Sequence, residues 1–263
     1  MVTVRDVANA MEEWADLSLC ESWDNSGLLV GHPDKPVTRI LTALDATEAV
    51  IEEAVSLGCG MIVTHHPMVF SAVKRFTDES RTGRRVLRLA EEGIALYAAH
   101  TNIDIAVGGT NDLLARELGL QDTAAVPDAG ENILHLGYLP EEETLGAFCE
   151  RVKKTLGLSV LRTVSDGLGA KVRAVALCTG SGSEFIPAAK AAGADVYVTG
   201  DIKYHQAEEA LSFGMPVIDA GHFATEVGIA AVFADYLRGH LNAEGEEVEV
   251  LVSSVMRDAF TEV

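Results

Sequence analysis

The stretch Met61-Ile62-Val63-Thr64-His65-His66-Pro67 sets two imidazoles side by side where a buried strand should stop. Three apolar or β-branched residues lead into Thr64, and Pro67 keeps the strand from running on. Neutral imidazoles are common ligands for divalent metals. Successive side chains of a regular strand point to opposite faces, so both rings can serve metal only at a kinked strand end or with two ions side by side. A polar pair in a surface loop is the competing reading.

Two further clusters share one pattern, a strand followed by His, three residues and an acid: His100 with Asp104, and His222 with Glu226. On a helix begun at His222, the imidazole and the Glu226 carboxylate lie on the same face. Imidazole with carboxylate is a nitrogen–oxygen donor set that suits zinc, manganese, iron or nickel, and a carboxylate can bridge two ions. A metal-bound histidine usually gives its other N–H to a carboxylate or carbonyl, for which Asp201, Asp45 and Asn102 are candidates. Each residue also has a plain reading alone: His222 as a helix start, Glu226 as a solvated first-turn acid, Asp104 as a turn residue. Asp24 and Asn25 sit in Asp-Asn-Ser-Gly, which is turn chemistry first and a site-lining loop second. His205, four residues after Asp201, reads as part of a surface helix pair. His32, His135 and His240 have no supporting neighbours and read as surface residues.

The elements that must carry these groups alternate between strand and helix. Residues 3–16 have helical spacing with Thr3 as N-cap, and 28–30 form a short strand. A strand over 39–44 leads to a helix over 46–57, stopped by Gly58, and then to the Met61 strand, parallel to the first. Residues 70–83 read as loop, 84–92 as helix ended by Gly93, 94–99 as strand, and 110–118 as helix. The boundary is expected at Pro127 to Gly130, giving halves 1–126 and 127–263. In the second half, strands are expected over 172–177, 194–199 and 216–220, with a turn at 180–182. Helices are expected over 184–192 and up to Ser212, and one long helix from His222 towards Leu241. An acidic turn and a last strand follow from Glu244 to Ser253.

The halves align. Leu57 to Thr64 matches Ala192 to Thr199 without a gap at an offset of 135 (193 − 58), and Leu41 to Asp45 matches Ala176 to Gly180 at the same offset. The pattern implies an α/β protein of two similar halves with mostly parallel sheets and helices on both faces, a duplicated unit. Ligands of such sheets bind beyond the carboxyl ends of the strands. His65, His66, His100, Asp104, Asp201, His222 and Glu226 all fall at such ends.

Composition narrows the classes. The 263 residues are 48% hydrophobic and 23% charged, as in ordinary globular chains. A formal charge of −20 speaks against broad nucleic-acid binding, which needs clustered cations. With no apolar run near twenty residues and no basic-then-apolar leader, neither membrane insertion nor secretion is expected. Cys20, Cys59, Cys149 and Cys178 form no CxxC pair, which fits a reducing cytoplasm. Lys74, Arg75, Arg81, Arg84 and Arg85 are a basic cluster in an acidic chain, either a partner for phosphates or a solvated helix start.

Five segments occur here in one order: Trp23 to Gly31, Thr64 to Pro67, His100 to Asp104, Thr199 to Asp201, and Asp219 to Glu226. In combination they resemble the dinuclear-metal-centre family of GTP cyclohydrolase I type 2 homologues, or Nif-three-like proteins, from about Val4 to the C-terminal strand. Some members carry an extra domain between the halves, and this chain resembles the compact form. The resemblance implies two metal ions held by His65, His66, Asp104, His222 and Glu226, with Glu226 bridging. It further implies intertwined halves and a toroidal homohexamer. His100 is outside the family's usual ligand set and reads as a residue behind the ligands or a proton-transfer group. The implied activity is metal-dependent hydrolysis, of GTP with ring opening and loss of formate. The alternatives are another nucleotide or phosphoester as substrate, an amide, or a metal-binding assembly protein without turnover.

Overall fold

The computed structural model describes residues 1–127, 132–242 and 247–261 of a mixed α/β chain. Residues 1–107 and 229–257 make one compact unit; residues 108–228, with a short stretch from Asp258, make the other.

The first unit is built on a five-stranded sheet in the order Gly27–Val30, Ala95–Ala98, Met61–Thr64, Arg39–Ala43, Glu249–Val252. All neighbours are parallel except the first pair. The helix Glu48–Leu57 links two of the parallel strands. Thr47 caps its start, and Gly58 ends it in the left-handed region at φ 68°. All four residues of Met61–Thr64 and of Ala95–Ala98 are buried, as expected of parallel strands covered on both faces. Leu41, Ala43 and Ile62 pack with Val50, Ile51 and Leu89 from the helices on one side. Thr42 points the other way, and its hydroxyl donates to Ala230 O at 2.7 Å in the helix Ile229–Asn242. That helix buries Ile229, Ala230, Phe233, Ala234 and Leu237, and Trp14 of the helix Val4–Trp14 meets Phe233 edge-on at 6.0 Å. Thr3 and Asp6 close the expected cap as a reciprocal box, with Asp6 N donating to Thr3 Oγ1 and Thr3 N to Asp6 Oδ2.

The second unit holds six strands in the order Gln121–Ala125, His135–Thr144, Lys171–Ser181, Val196–Gly200, Val217–Asp219, Arg162–Val164. Its middle pairings are parallel and its outer ones antiparallel. The duplication holds at the level of single residues. Ile40, Leu41 and Thr42 pair with Met61, Ile62 and Val63; Val175, Ala176 and Leu177 pair with Val196, Tyr197 and Val198. Each position in the second set is its counterpart plus 135. Gly58 and Gly193 both follow a helix and precede a parallel strand.

Several boundaries differ from expectation. The division at 126/127 does not match the compact units, because residues 229–257 return to the first. The apolar stripe of Ile229–Asn242 needs a sheet to cover, and Glu249–Val252 finds its ladder partner in Arg39–Ala43. Asp128 to Gly130 of the expected boundary, and the acidic turn at 243–246, lie outside the described residues. The long helix from His222 is two helices, His222–Glu226 and Ile229–Asn242. Gly228 stands at the break, where a Cβ would lie 3.2 Å from Leu113 Cδ2. The loop expected to 83 ends sooner: Ser80 caps a helix over Arg81–Glu92. The turn at 180–182 is the end of the strand Lys171–Ser181. Among the described residues, no helix is long and apolar enough to cross a membrane.

Phe233 is fully buried under the first sheet. Phe233→Ala should cost about 3–5 kcal/mol, read as a lower urea midpoint. An unchanged midpoint would show that this helix does not hold the unit together.

Candidate metal centre

In the first unit, the backbone ladder continues for two residues past the Met61–Thr64 strand: His65 N donates to Ala43 O, and His66 N to Leu44 O. The alternation expected of a strand ends there, because the His65 and His66 rings lie on one side with centroids 4.9 Å apart. His65 is fully buried, and its Nδ1 is 2.8 Å from Ala99 O. A carbonyl only accepts, so Nδ1 carries the proton and Nε2 the lone pair. That Nε2 is 3.6 Å from Asp104 Oδ1. His66 Nδ1 is 2.9 Å from Asp45 Oδ1. His100 stands beside them, its ring centroid 5.2 Å from that of His65. One ring nitrogen from each of His65, His66 and His100 lies within 4.8 Å of the others, a spacing that could hold an ion.

His100 is fixed by a residue whose turn reading is incomplete. The Asp24 side chain is buried and accepts from His100 Nδ1 at 2.7 Å. It also accepts from Thr101 N, Thr101 Oγ1, Ser26 Oγ and its neighbour Asn25 N. Burial pushes the Asp24 carboxyl up, but hydrogen bonds from His100 and Thr101 outweigh it and hold the group well below the usual carboxylate range. Asp24 therefore lines the site. The helix Thr101–Ile105, with His100 as its N-cap residue, carries Asp104 in its first turn. Asn102 does not support a histidine; its side-chain amide donates to Ala15 O at 2.7 Å and anchors this helix.

The second unit carries the other pair. His222 Nε2 is 3.1 Å from Glu226 Oε2 one helical turn on, and His222 Nδ1 is 2.8 Å from Asp201 Oδ2. Asp201 follows the strand Val196–Gly200 at φ 57°, a left-handed conformation uncommon for a side-chain-bearing residue. Glu226 is buried at 4% exposure. Two glycines that the sequence reading did not single out make room for the pair. A Cβ on Gly180 would lie 2.1 Å from Glu226 Oε1 and 3.2 Å from His222 Nε2. On Gly200 it would lie 2.5 Å from Gly180 O and 2.8 Å from His222 N. The readable signal was glycine placed where both strands end.

Every candidate histidine has its Nδ1 held by a carboxylate or a carbonyl: Ala99, Asp45, Asp24 and Asp201. Each then presents Nε2 as a donor, the arrangement typical of metal-binding imidazoles. The residues present fit a divalent ion on this ground.

The other histidines stand elsewhere. His205 is exposed and 3.6 Å from Glu208, not on Asp201. His32 is exposed, and His240 stacks on Tyr236 at 5.6 Å. His135 is buried rather than on the surface, with Nε2 3.7 Å from Asp112 Oδ1. In the basic cluster, Arg85 is bound by Glu48, and Arg84 donates to Asp78 O.

A family model described as Duf34/NIF3 (NGG1p interacting factor 3) matches residues 2–259. The chain is similar to the GTP cyclohydrolase 1 type 2 homolog of Clostridium acetobutylicum, 35% identical across 95% of each chain. It is likewise similar to the protein NIF3 homolog of Schizosaccharomyces pombe, 34% identical over 92% of each. Among solved structures, a Bacillus cereus protein related to NIF3 superposes with a TM-score of 0.92 at 29% identity, covering 100% of this chain and 99% of that one.

Gly180 and Gly193 both adopt positive φ, but a Cβ on Gly193 would meet nothing within 4 Å. Substitution by alanine should cost both a similar backbone strain, of order 1 kcal/mol. Gly180→Ala should in addition displace Glu226 and lower bound metal, measured by elemental analysis, while Gly193→Ala keeps it. Equal metal content in the two variants would count against the cradle.

Proposed function

The chain belongs to the DUF34/NIF3 family, and from that premise we propose that it is a hydrolase working with two divalent metal ions. In this reading His65, His66, Asp104, His222 and Glu226 would hold the ions. The observation that carries it is the shared tethering of the imidazoles through Nδ1. Zinc, manganese, iron and nickel all suit the donor set. Ions bound there supply acidified water near neutral pH and polarise the electrophile.

The chain's own residues do the rest. Asp24 holds the Nδ1 proton of His100, which leaves His100 Nε2 to take up or return a proton beside the substrate. Asp45 and Asp201 orient His66 and His222. The reaction we propose opens the imidazole ring of a purine nucleotide such as GTP at the carbon between its nitrogens and releases that carbon as formate. The names borne by the relatives support it. The pairing of Arg85 with Glu48, and the bond from Arg84 to Asp78 O, favour the solvated-helix reading of the basic cluster over phosphate binding. A homohexamer belongs to the same proposal, supported by the family resemblance and by exposed Val160, Leu168, Leu211 and Phe213 in the second unit. The four free thiols support a reducing compartment, the cytoplasm.

Metal-loaded protein should release formate from GTP, and His222→Ala should lose metal and turnover together. His100→Ala should keep both ions and lose about 10²–10⁴-fold in rate. Equal metal loss from both variants would make His100 a ligand. Turnover confined to other nucleotides or phosphoesters, or none across a broad panel, would replace the reaction proposed.

Acid should empty the site. An imidazole binds metal only when neutral, and its ordinary pKa is about 6.5, so occupancy present near pH 7 falls as the pH drops below about 6. Metal content unchanged at pH 4 after dialysis would contradict a histidine-built centre.

A further inference from the structure

Beside the three imidazoles the first unit leaves two large aromatic side chains in the open. Trp23 is 52% exposed and Phe70 50%. Single exposed apolar residues are ordinary, but these two touch each other, with ring centroids 5.8 Å apart and planes inclined at 55°. Each also meets His100 at 6.1 Å, with interplanar angles of 75° and 82°. The three rings form a corner with His100 at its inner end, against the imidazole cluster.

Neither aromatic ring stands on a loose tether. Trp23 directly precedes Asp24, which is locked to His100 and Thr101. The Asn25 side-chain amide donates to the carbonyl of Val69, directly before Phe70, and so ties the two loops together. The surface is therefore set before any ligand arrives, which lowers the ordering cost of binding.

We propose that Trp23 and Phe70 form a stacking platform for a flat heteroaromatic ring, such as a nucleobase. The two rings already touch, so the ligand lies against their outer faces rather than between them. Stacking suits such a site because every base has a π-face and needs no cation to hold it. The chain thus grips its ligand by the heterocycle. Placement of that ring beside metal ions rests on the function proposed above, whereas the binding itself does not.

Tryptophan fluorescence tests this directly, since the chain has two tryptophans, Trp14 and Trp23. Guanosine, which carries no phosphate, should quench the intact protein saturably, and ribose should not. Trp23→Phe should abolish the response, because Trp14 is packed against Phe233 and Tyr236. Phe70→Ala should keep the indole signal and weaken guanosine binding about 5- to 150-fold. Removal of metal by a chelator should leave the response in place, and metal content measured before and after treatment judges the proposed centre separately. The platform is overturned by any of four results: no saturable quenching, quenching that survives Trp23→Phe, unchanged affinity in Phe70→Ala, or loss of the response on chelation. Shielding of Trp23 from acrylamide in the free protein would also overturn it, by showing the ring covered by a second copy.

Discussion

An imidazole has two nitrogens, and what is done with one decides what the other can do. At four histidines this chain fixes the choice in the same sense, with Nδ1 given to an oxygen of the protein and Nε2 left as donor. The four oxygens come from separate places: a loop before the first sheet, the end of a parallel strand, a backbone carbonyl at another strand end, and a residue in left-handed conformation. Much of the local architecture serves to bring those oxygens within reach. Bare polar groups at a buried strand end would be costly to leave unmet. Here they meet each other, and the rings are aimed as a by-product of being satisfied.

The second constraint is room. The cluster in each unit sits where parallel strands stop, the ordinary ligand position in such sheets. In the second unit that room is made by absent side chains at Gly180 and Gly200. In the first it is made by ending the strand after Thr64, so that consecutive histidines no longer alternate. The two units share a ladder register to the residue, yet they use it differently. One presents a cluster of three imidazoles, and the other a single imidazole with a glutamate one turn away.

The parts of the fold legible in the sequence were those written locally. Gly58 and Gly93 end helices, Thr3 begins one, and buried apolar runs gave the parallel strands and their repeat. Histidine–acid spacing likewise exposed the chemistry. What was misread depended on distant partners. Asp24 resembled a turn residue because its contact with His100 spans 76 positions. His135 looked superficial alone, although it occupies an inward place in the alternating strand His135–Thr144. The strands between 119 and 171 went unread, being short or interrupted by polar residues. The compact units could not be seen from a boundary signal, since the chain leaves the first unit and later comes back.

That return shapes the order in which the molecule can be made. Arg39 and Glu249, neighbours in one sheet, are 210 residues apart along the chain. A ribosome delivers the first four strands of that sheet long before the fifth strand and the helix that covers it. Residues 108–228, by contrast, emerge as one run and contain all six strands of their own sheet. The later-synthesised unit is therefore the first that can close, while the N-terminal one waits with an uncovered apolar face. Such long-range closure is slow and leaves an interval open to aggregation. During synthesis, then, the N-terminal unit is the one whose apolar face stays uncovered longest.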